Sequence, residues 1–207
     1  AWELSDKIAR SLLAALVDKD RGVQVTTLTA MRREAIPVDS EFLAAWLRKE
    51  RNPEAVGPLL EAVASDTSAG ATELLAEVVA GREYAAANRL AALAVLDGRL
   101  KGKQASRLVA VGKGIESGPV LADLVRRVAG REGVEAGELF VAAVKSTDAG
   151  VRAAAVTALG RRAPGTLKLR LGLLLGDNDP RVRRAAAIEA GRHKVEIAGE
   201  SLMQLAR

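Results

Sequence analysis

The sequence predicts an all-α protein of stacked helical hairpins, and three observations support that fold class. Hydrophobic residues make up 49% of the 207 residues and aromatic residues only 2%, which favours closely packed aliphatic helices over a β-sandwich. Similar residues return about every thirty-one to thirty-three positions, as they do in repeat proteins. Cap-type residues, prolines and glycines divide the chain into segments of helical length.

The repeat is clearest toward the C-terminal end. "DAGVRAAAVTALGRR" begins at Asp148 and "DPRVRRAAAIEAGRH" begins at Asp179, an offset of 31 residues that also aligns Arg152 with Arg183. "NRLAALAVLDGR", from Asn88, falls into the same frame two steps earlier. A hairpin of this length cannot bury its own apolar face, so neighbouring hairpins are expected to stack.

The first three helix pairs are expected at residues 4–34, 39–65 and 68–97. In the second pair, Asn52 precedes Pro53 at the first helical position, where the missing N–H of proline costs nothing. Apolar residues recur at spacings of three and four along these segments, as at Leu43 and Leu47. This periodicity predicts helices that bury one face.

The last three pairs are expected at residues 101–129, 133–161 and 164–192, followed by a capping helix at 195–206. Gly118 before Pro119 and Asp179 before Pro180 mark the starts of second helices. The six pairs and the cap are expected to form a single domain, residues 1–207.

The pattern of an Asp in a turn, then Val-Arg, paired alanines and Leu-Gly resembles a HEAT repeat of the short bacterial type. The resemblance is good over residues 133–192 and fair over 82–97. It implies a right-handed α-solenoid whose second helices line the concave face.

In HEAT-like repeats the arginine after the valine turns toward the joint between repeats. The resemblance therefore implies structural roles for Arg152 and Arg183, with Asp148, Asp177 and Asp179 as candidate acidic partners. Asp148, Arg152, Asp179 and Arg183 form the expected joint.

Other arginines lie off the apolar face of the second helices and are expected to face solvent. They form a hypothetical basic patch on the concave side: Arg126, Arg161, Arg181, Arg184 and Arg192. Residues 151–207 contain 11 of the 31 Lys and Arg but 5 of the 26 Asp and Glu, a net charge of +6, against −1 for residues 1–150. Such a surface would attract an acidic partner; a solvated charged face is the alternative interpretation.

The sequence offers little for catalysis, and we expect no catalytic residue, metal site or cofactor. Cysteine is absent, and the single histidine, His193, is expected to be an exposed helix-end residue. Asp177-Asn178-Asp179 lacks the glycine and distal glutamate of a calcium loop. "VGKGIESG", from Val111, misses the glycine spacings of phosphate-binding loops and is expected to be a turn.

The function expected from these features is a non-enzymatic scaffold that binds another protein, or another domain of the same polypeptide, through its concave helices. The alternative is a DNA-binding HEAT-like protein related to alkylpurine DNA glycosylases. Those enzymes line a basic groove with aromatic residues, whereas residues 151–207 contain none. Nucleic-acid binding is therefore expected to be weak and salt-sensitive. Nothing beyond the shared repeat supports a third HEAT-like group, the bilin lyase subunits.

No apolar run reaches the roughly twenty residues that a membrane span requires. Without a signal peptide in this chain, a cytoplasmic location is favoured. Short HEAT-like arrays are often appended to other domains, so we expect a segment of a larger bacterial protein.

Overall fold

The computed structural model describes residues 2–36 and 38–195, and within these ranges the only regular secondary structure is helical. This confirms the predicted all-α class. Except for Val195, the expected capping helix at 195–206 lies outside the described residues. The right-handed superhelix with a concave second-helix face stays a prediction, as does the single domain.

The described helices follow one another as six pairs. In the sixth pair, the first helix is broken into two short ones. They are α1 (Trp2–Leu16), α2 (Arg21–Arg33), α3 (Ser40–Lys49), α4 (Pro53–Ser65), α5 (Ala69–Ala80), α6 (Ala86–Arg99), α7 (Ser106–Lys113), α8 (Pro119–Ala129), α9 (Gly137–Ala143), α10 (Ala149–Arg162), α11 (Pro164–Lys168), α12 (Leu171–Leu175) and α13 (Pro180–Arg192). A 3-10 turn, Gly102–Ala105, leads into α7.

Side-chain caps explain why several second helices begin where they do. Asp20, Asp148 and Asp179 each accept a hydrogen bond from a backbone N–H of the first turn, at 2.8 to 3.0 Å. A cap of this kind is worth about 1 kcal/mol of stability. The helix α8 instead starts at Pro119 behind Gly118, whose φ of 149° favours glycine and which has no side chain to cap.

Contacts divide the chain into two compact units, residues 1–96 and 97–207. In the first unit, α2 packs on α1 and α4, and α4 also packs on α3 and α5. Aliphatic side chains form its core, and the fully buried ones include Leu28, Leu47, Leu59 and Leu75. Truncating such a leucine to alanine costs about 2–5 kcal/mol.

In the second unit, α8, α10 and α13 pack side by side, and we call them the second-helix layer. The helices α7, α9, α11 and α12 form the first-helix layer, in which α7 lies against α8, α9 against α10, and α12 against α13. The core between the layers is again aliphatic, with one aromatic residue; it includes Leu108, Leu124, Phe140, Leu159 and Val182. The candidate site lies on the exposed side of the second-helix layer.

Candidate functional site

Arg152 ties the start of α10 to the turn that precedes α13. Its Nε and Nη2 donate to the two carboxylate oxygens of Asp177 at 2.9 and 2.7 Å, and its Nη1 donates to the carbonyls of Ser146 and Thr147 at 3.0 Å. Both charged side chains are largely buried, at 18% and 13% exposure. The hydrogen bonds from Arg152 hold the pKa of Asp177 below its ordinary value.

Arg183 makes the same backbone contacts one repeat later. Its Nη1 donates to the carbonyls of Asp177 and Asn178 at 2.9 and 3.0 Å. These acceptors precede Arg183 by six and five positions, just as Ser146 and Thr147 precede Arg152. The same contacts at both turns show that each arginine closes the loop that leads into its own helix.

The two remaining joint residues, Asp148 and Asp179, are N-caps and do not pair with Arg152 or Arg183. Asp148 accepts from the N–H of Val151 at 2.9 Å. Asp179 receives both the backbone N–H and the guanidinium of Arg181, at 2.8 to 3.0 Å. The hydrogen bond from the Arg181 side chain lowers the pKa of Asp179 to about 2.

Glu50 is a joint residue of the first unit that sequence reasoning missed. Its side chain is 2% exposed and pairs with Arg21. It also accepts from Trp46 Nε1 at 3.2 Å and from the backbone N–H groups of Arg51 and Asn52 at 2.9 Å. Every polar group of this buried carboxylate is thus satisfied, as burial requires.

A positional signal could have revealed Glu50. It lies two positions before the N-cap residue Asn52, and Asp177 lies two positions before the N-cap Asp179. Both side chains accept the N–H of the cap residue, at 2.9 and 2.8 Å, and both bind an arginine of the preceding second helix.

A second missed set lies at the C-terminal ends of second helices, among residues 97–207. Arg131 Nη1 donates to the carbonyl of Leu100 at 2.6 Å, and Arg162 donates to the carbonyl of Arg131. His193 Nε2 lies 2.8 Å from the carbonyl oxygen of Gly160, which only accepts, so this nitrogen carries the proton. His193 lies at the end of α13, as expected, but the expectation that it is exposed was wrong, because its ring is 23% exposed and contacts Gly160 of α10.

These linking residues recur at the repeat interval. Arg131, Arg162 and His193 are separated by 31 residues each. The interval was visible in the sequence, but the histidine at the third position concealed it.

The five arginines of the predicted basic patch lie on the second-helix layer and are exposed, and we call them the arginine face. Arg126 is on α8, Arg161 is on α10, and Arg181, Arg184 and Arg192 are on α13. Nearby carboxylates neutralise three of them: Arg126 with Asp123 at 3.5 Å, Arg181 with Asp179 at 2.9 Å and Arg192 with Glu189 at 2.6 Å.

Arg161 and Arg184 are exposed and form no ion pair within residues 2–36 and 38–195. Arg161 borders a groove of about 490 Å³ at the ends of α8 and α10, together with Gly130 and Gly133. On α13, Ile188 follows Arg184 by one helical turn and is 54% exposed. The arginine face therefore combines an apolar side chain with two cations that have no ion pair among the described residues.

Other kinds of site receive no support from the part of the chain that the structure describes. It contains no group of three or more side chains that could hold a metal ion. None of its helices is both long and apolar enough to cross a membrane.

Comparisons with known proteins relate this architecture to one family. Residues 137–207 match the family model for HEAT repeats. Among solved structures, the chain is similar to TOG3 of Mini spindles from Drosophila melanogaster, with a TM-score of 0.57 and 16% identity over 87% of this chain and 92% of that one. At that identity the likeness shows the fold alone. No curated protein sequence matches the chain.

Proposed function

We propose that this chain, whose residues 137–207 match the family model for HEAT repeats, is a non-enzymatic scaffold whose arginine face binds an acidic partner. The partner is another protein or another domain of the same polypeptide. The observation that carries the proposal is the pair of exposed arginines, Arg161 and Arg184, which lack an ion pair among the described residues. A guanidinium without an internal partner is free to bind a carboxylate through two parallel hydrogen bonds.

The surroundings of these arginines support a protein partner. Ile188 lies between Arg184 and Arg192 on α13 and adds an apolar contact to the charged ones. Protein interfaces combine apolar anchors with arginine in this way. The net charge of +6 over residues 151–207 would also speed the approach of an acidic surface.

The DNA-binding alternative uses the same arginines but finds less support. Enzymes that act on a base extrude it and stack it on aromatic side chains. Phe140 is the one aromatic residue in the sequence from 97 to 207, and it is 1% exposed. DNA contacts at this surface would therefore be limited to phosphates, and their affinity would fall steeply with salt.

The proposal is tested with a fluorescein-labelled glutamate-rich peptide as a stand-in for an acidic partner surface. In an anisotropy titration, we expect Arg161→Ala/Arg184→Ala to weaken binding at least tenfold, because each lost charged hydrogen bond is worth about 1.5–3 kcal/mol. Lys19→Ala/Lys49→Ala removes two exposed cations from the first unit and serves as the matched control. Equal losses in both double variants would contradict a specific arginine face.

A further inference from the structure

The groove beside Arg161 contains a second exposed charge, of opposite sign. The residues that line it come from the C-terminal ends of α8 and α10 and from the turn after α8: Ala129, Gly130, Glu132, Gly133, Arg161 and Arg162. Glu132 and Arg161 are both exposed, and neither forms an ion pair within residues 2–36 and 38–195. The groove thus presents one anion and one cation that do not pair with each other.

The contacts of two neighbouring arginines explain why they do not pair with Glu132. Arg131 donates from Nε to Asp97 Oδ1 at 2.9 Å. Arg162 donates to the carbonyls of Arg131 and Val134, the latter at 3.1 Å. Both guanidinium groups are therefore bound to other acceptors, and the carboxylate of Glu132 stays exposed to solvent.

The backbone around Glu132 is held in a defined turn. The hydrogen bonds from Arg162 bind the carbonyls of Arg131 and Val134, on either side of the Glu132-Gly133 dipeptide. Gly133 has a φ of 70°, in the left-handed region that favours glycine. The position of Glu132 in the groove is therefore set by the fold.

Arg161 lies against the C-terminal end of α8. A Cβ atom on Gly130, the C-cap residue of that helix, would lie 3.8 Å from Arg161 Nη1. The partial negative charge at a helix C-terminus favours a cation at this position. Because Gly130 and Gly133 have no side chains, the space beside the guanidinium stays open to a partner.

We propose that this groove makes the arginine face selective for a segment of the partner protein that carries both a glutamate and a lysine. The inference rests on the proposed function: Arg161 binds the carboxylate of the segment, and Glu132 binds its ammonium group. A segment with carboxylates alone fits less well, because one of them would lie against Glu132, and like charges at an interface oppose binding. Glu132 is thus a specificity-determining residue, since selectivity often depends on a group that repels the wrong partner.

The test compares two fluorescein-labelled peptides of equal length that contain the same number of glutamates. In one peptide the glutamates alternate with lysines, and in the other the lysines are replaced by glutamines. In anisotropy titrations at physiological salt, Glu132→Gln should lower the affinity for the lysine peptide relative to the glutamine peptide by about two- to fivefold, the size of an exposed ion pair. Glu135→Gln is the matched control and should leave this ratio unchanged, because Glu135 is exposed and does not line the groove. Both variants should melt at the wild-type temperature, since both side chains are exposed.

Two results would overturn this inference. An unchanged affinity ratio in Glu132→Gln would show that Glu132 does not contact the partner. An equal fall of the ratio in Glu132→Gln and Glu135→Gln would show that only the overall charge matters. If Arg161→Ala/Arg184→Ala weakens the binding of neither peptide, the proposed function fails as well; if it weakens the binding of both while Glu132→Gln leaves the ratio unchanged, only the present inference fails.

Discussion

Residues at equivalent positions of successive helix pairs differ sharply in their surroundings, although the repeat makes them look alike. A Cβ atom on Gly160 would overlap the carboxylate of Glu189, whereas one on Gly191 would meet no atom within 4 Å. Glu189 is 1% exposed, and its Oε1 accepts from Arg192 at 2.6 Å. Gly160 therefore makes room on α10 for a buried carboxylate of α13.

Alanine at these two glycines should have opposite effects on stability. Gly160→Ala should lower the free energy of unfolding by about 1–3 kcal/mol, because the new methyl group displaces a buried side chain. Gly191→Ala should be neutral or raise it by up to about 1 kcal/mol, since alanine favours helix and the space is open. Urea denaturation of both variants measures the difference. A similar change in both would mean that Glu189 does not occupy the space beside Gly160.

Alanine substitutions at two adjacent arginines of α13 should also differ in their effect on stability. Arg183→Ala should cost about 1–3 kcal/mol, because the carbonyls of Asp177 and Asn178 lose their donor. Arg184→Ala should change stability by less than about 0.5 kcal/mol, since its side chain is exposed. Thermal melts of the two variants provide the measurement. Comparable losses of stability in the two variants would show that the contacts of Arg183 with the turn do not stabilise the fold.

The turn between α12 and α13 acts as a unit in which charge, cap and backbone support one another. Asp177 joins Arg152 of the preceding second helix to the N–H of Asp179, which in turn caps α13. Because the pKa of Asp177 is lowered in the folded protein, its ionised form favours folding. That contribution is present above the pKa of the unfolded chain, near 3.9 for aspartate, and is lost as pH falls through the lower folded value.

Removal of Arg152 should raise the pKa of Asp177 toward its ordinary value. In Arg152→Met, a carbon-13 NMR titration of the Asp177 carboxyl group should give a higher pKa than in the wild type. The free energy of unfolding should also fall less steeply as the pH drops below 4. Arg181→Met is the matched control, because Arg181 lowers the pKa of Asp179. An unchanged Asp177 titration in Arg152→Met would contradict the assignment of Arg152 as the cause.

The helical class and the helix starts marked by Asp or by a cap-type residue before Pro could be predicted because local chemistry determines them. Contacts between helix pairs were harder to predict from the sequence, because they depend on which residues meet after the pairs stack. Glu50 was missed since its partner Arg21 is 29 positions away. His193 was misjudged because its acceptor, Gly160, lies on another helix. The exposure of Leu169 and Leu173 also escaped prediction, since a leucine-rich segment looks uniformly buried in sequence.

In the second unit as a whole, the repeat places equivalent residues on neighbouring helices, so a surface extends across several pairs. Most arginines near the turns and helix ends bind carbonyls or carboxylates of the protein itself. The positive charge of residues 151–207 is therefore only partly available to a partner, and Arg161 and Arg184 are the members of the arginine face without an ion pair among the described residues.

We propose that the arginine face binds an acidic protein surface and does not process DNA. The most direct measurement is a parallel anisotropy titration of the glutamate-rich peptide and of duplex DNA at low and physiological salt, alongside an assay for base release from methylated DNA. We predict peptide binding that persists at physiological salt and depends on Arg161 and Arg184, DNA binding that is lost there, and no base release. DNA binding that survives physiological salt, or base release that Arg161→Glu/Arg184→Glu/Arg192→Glu abolishes, would contradict the account.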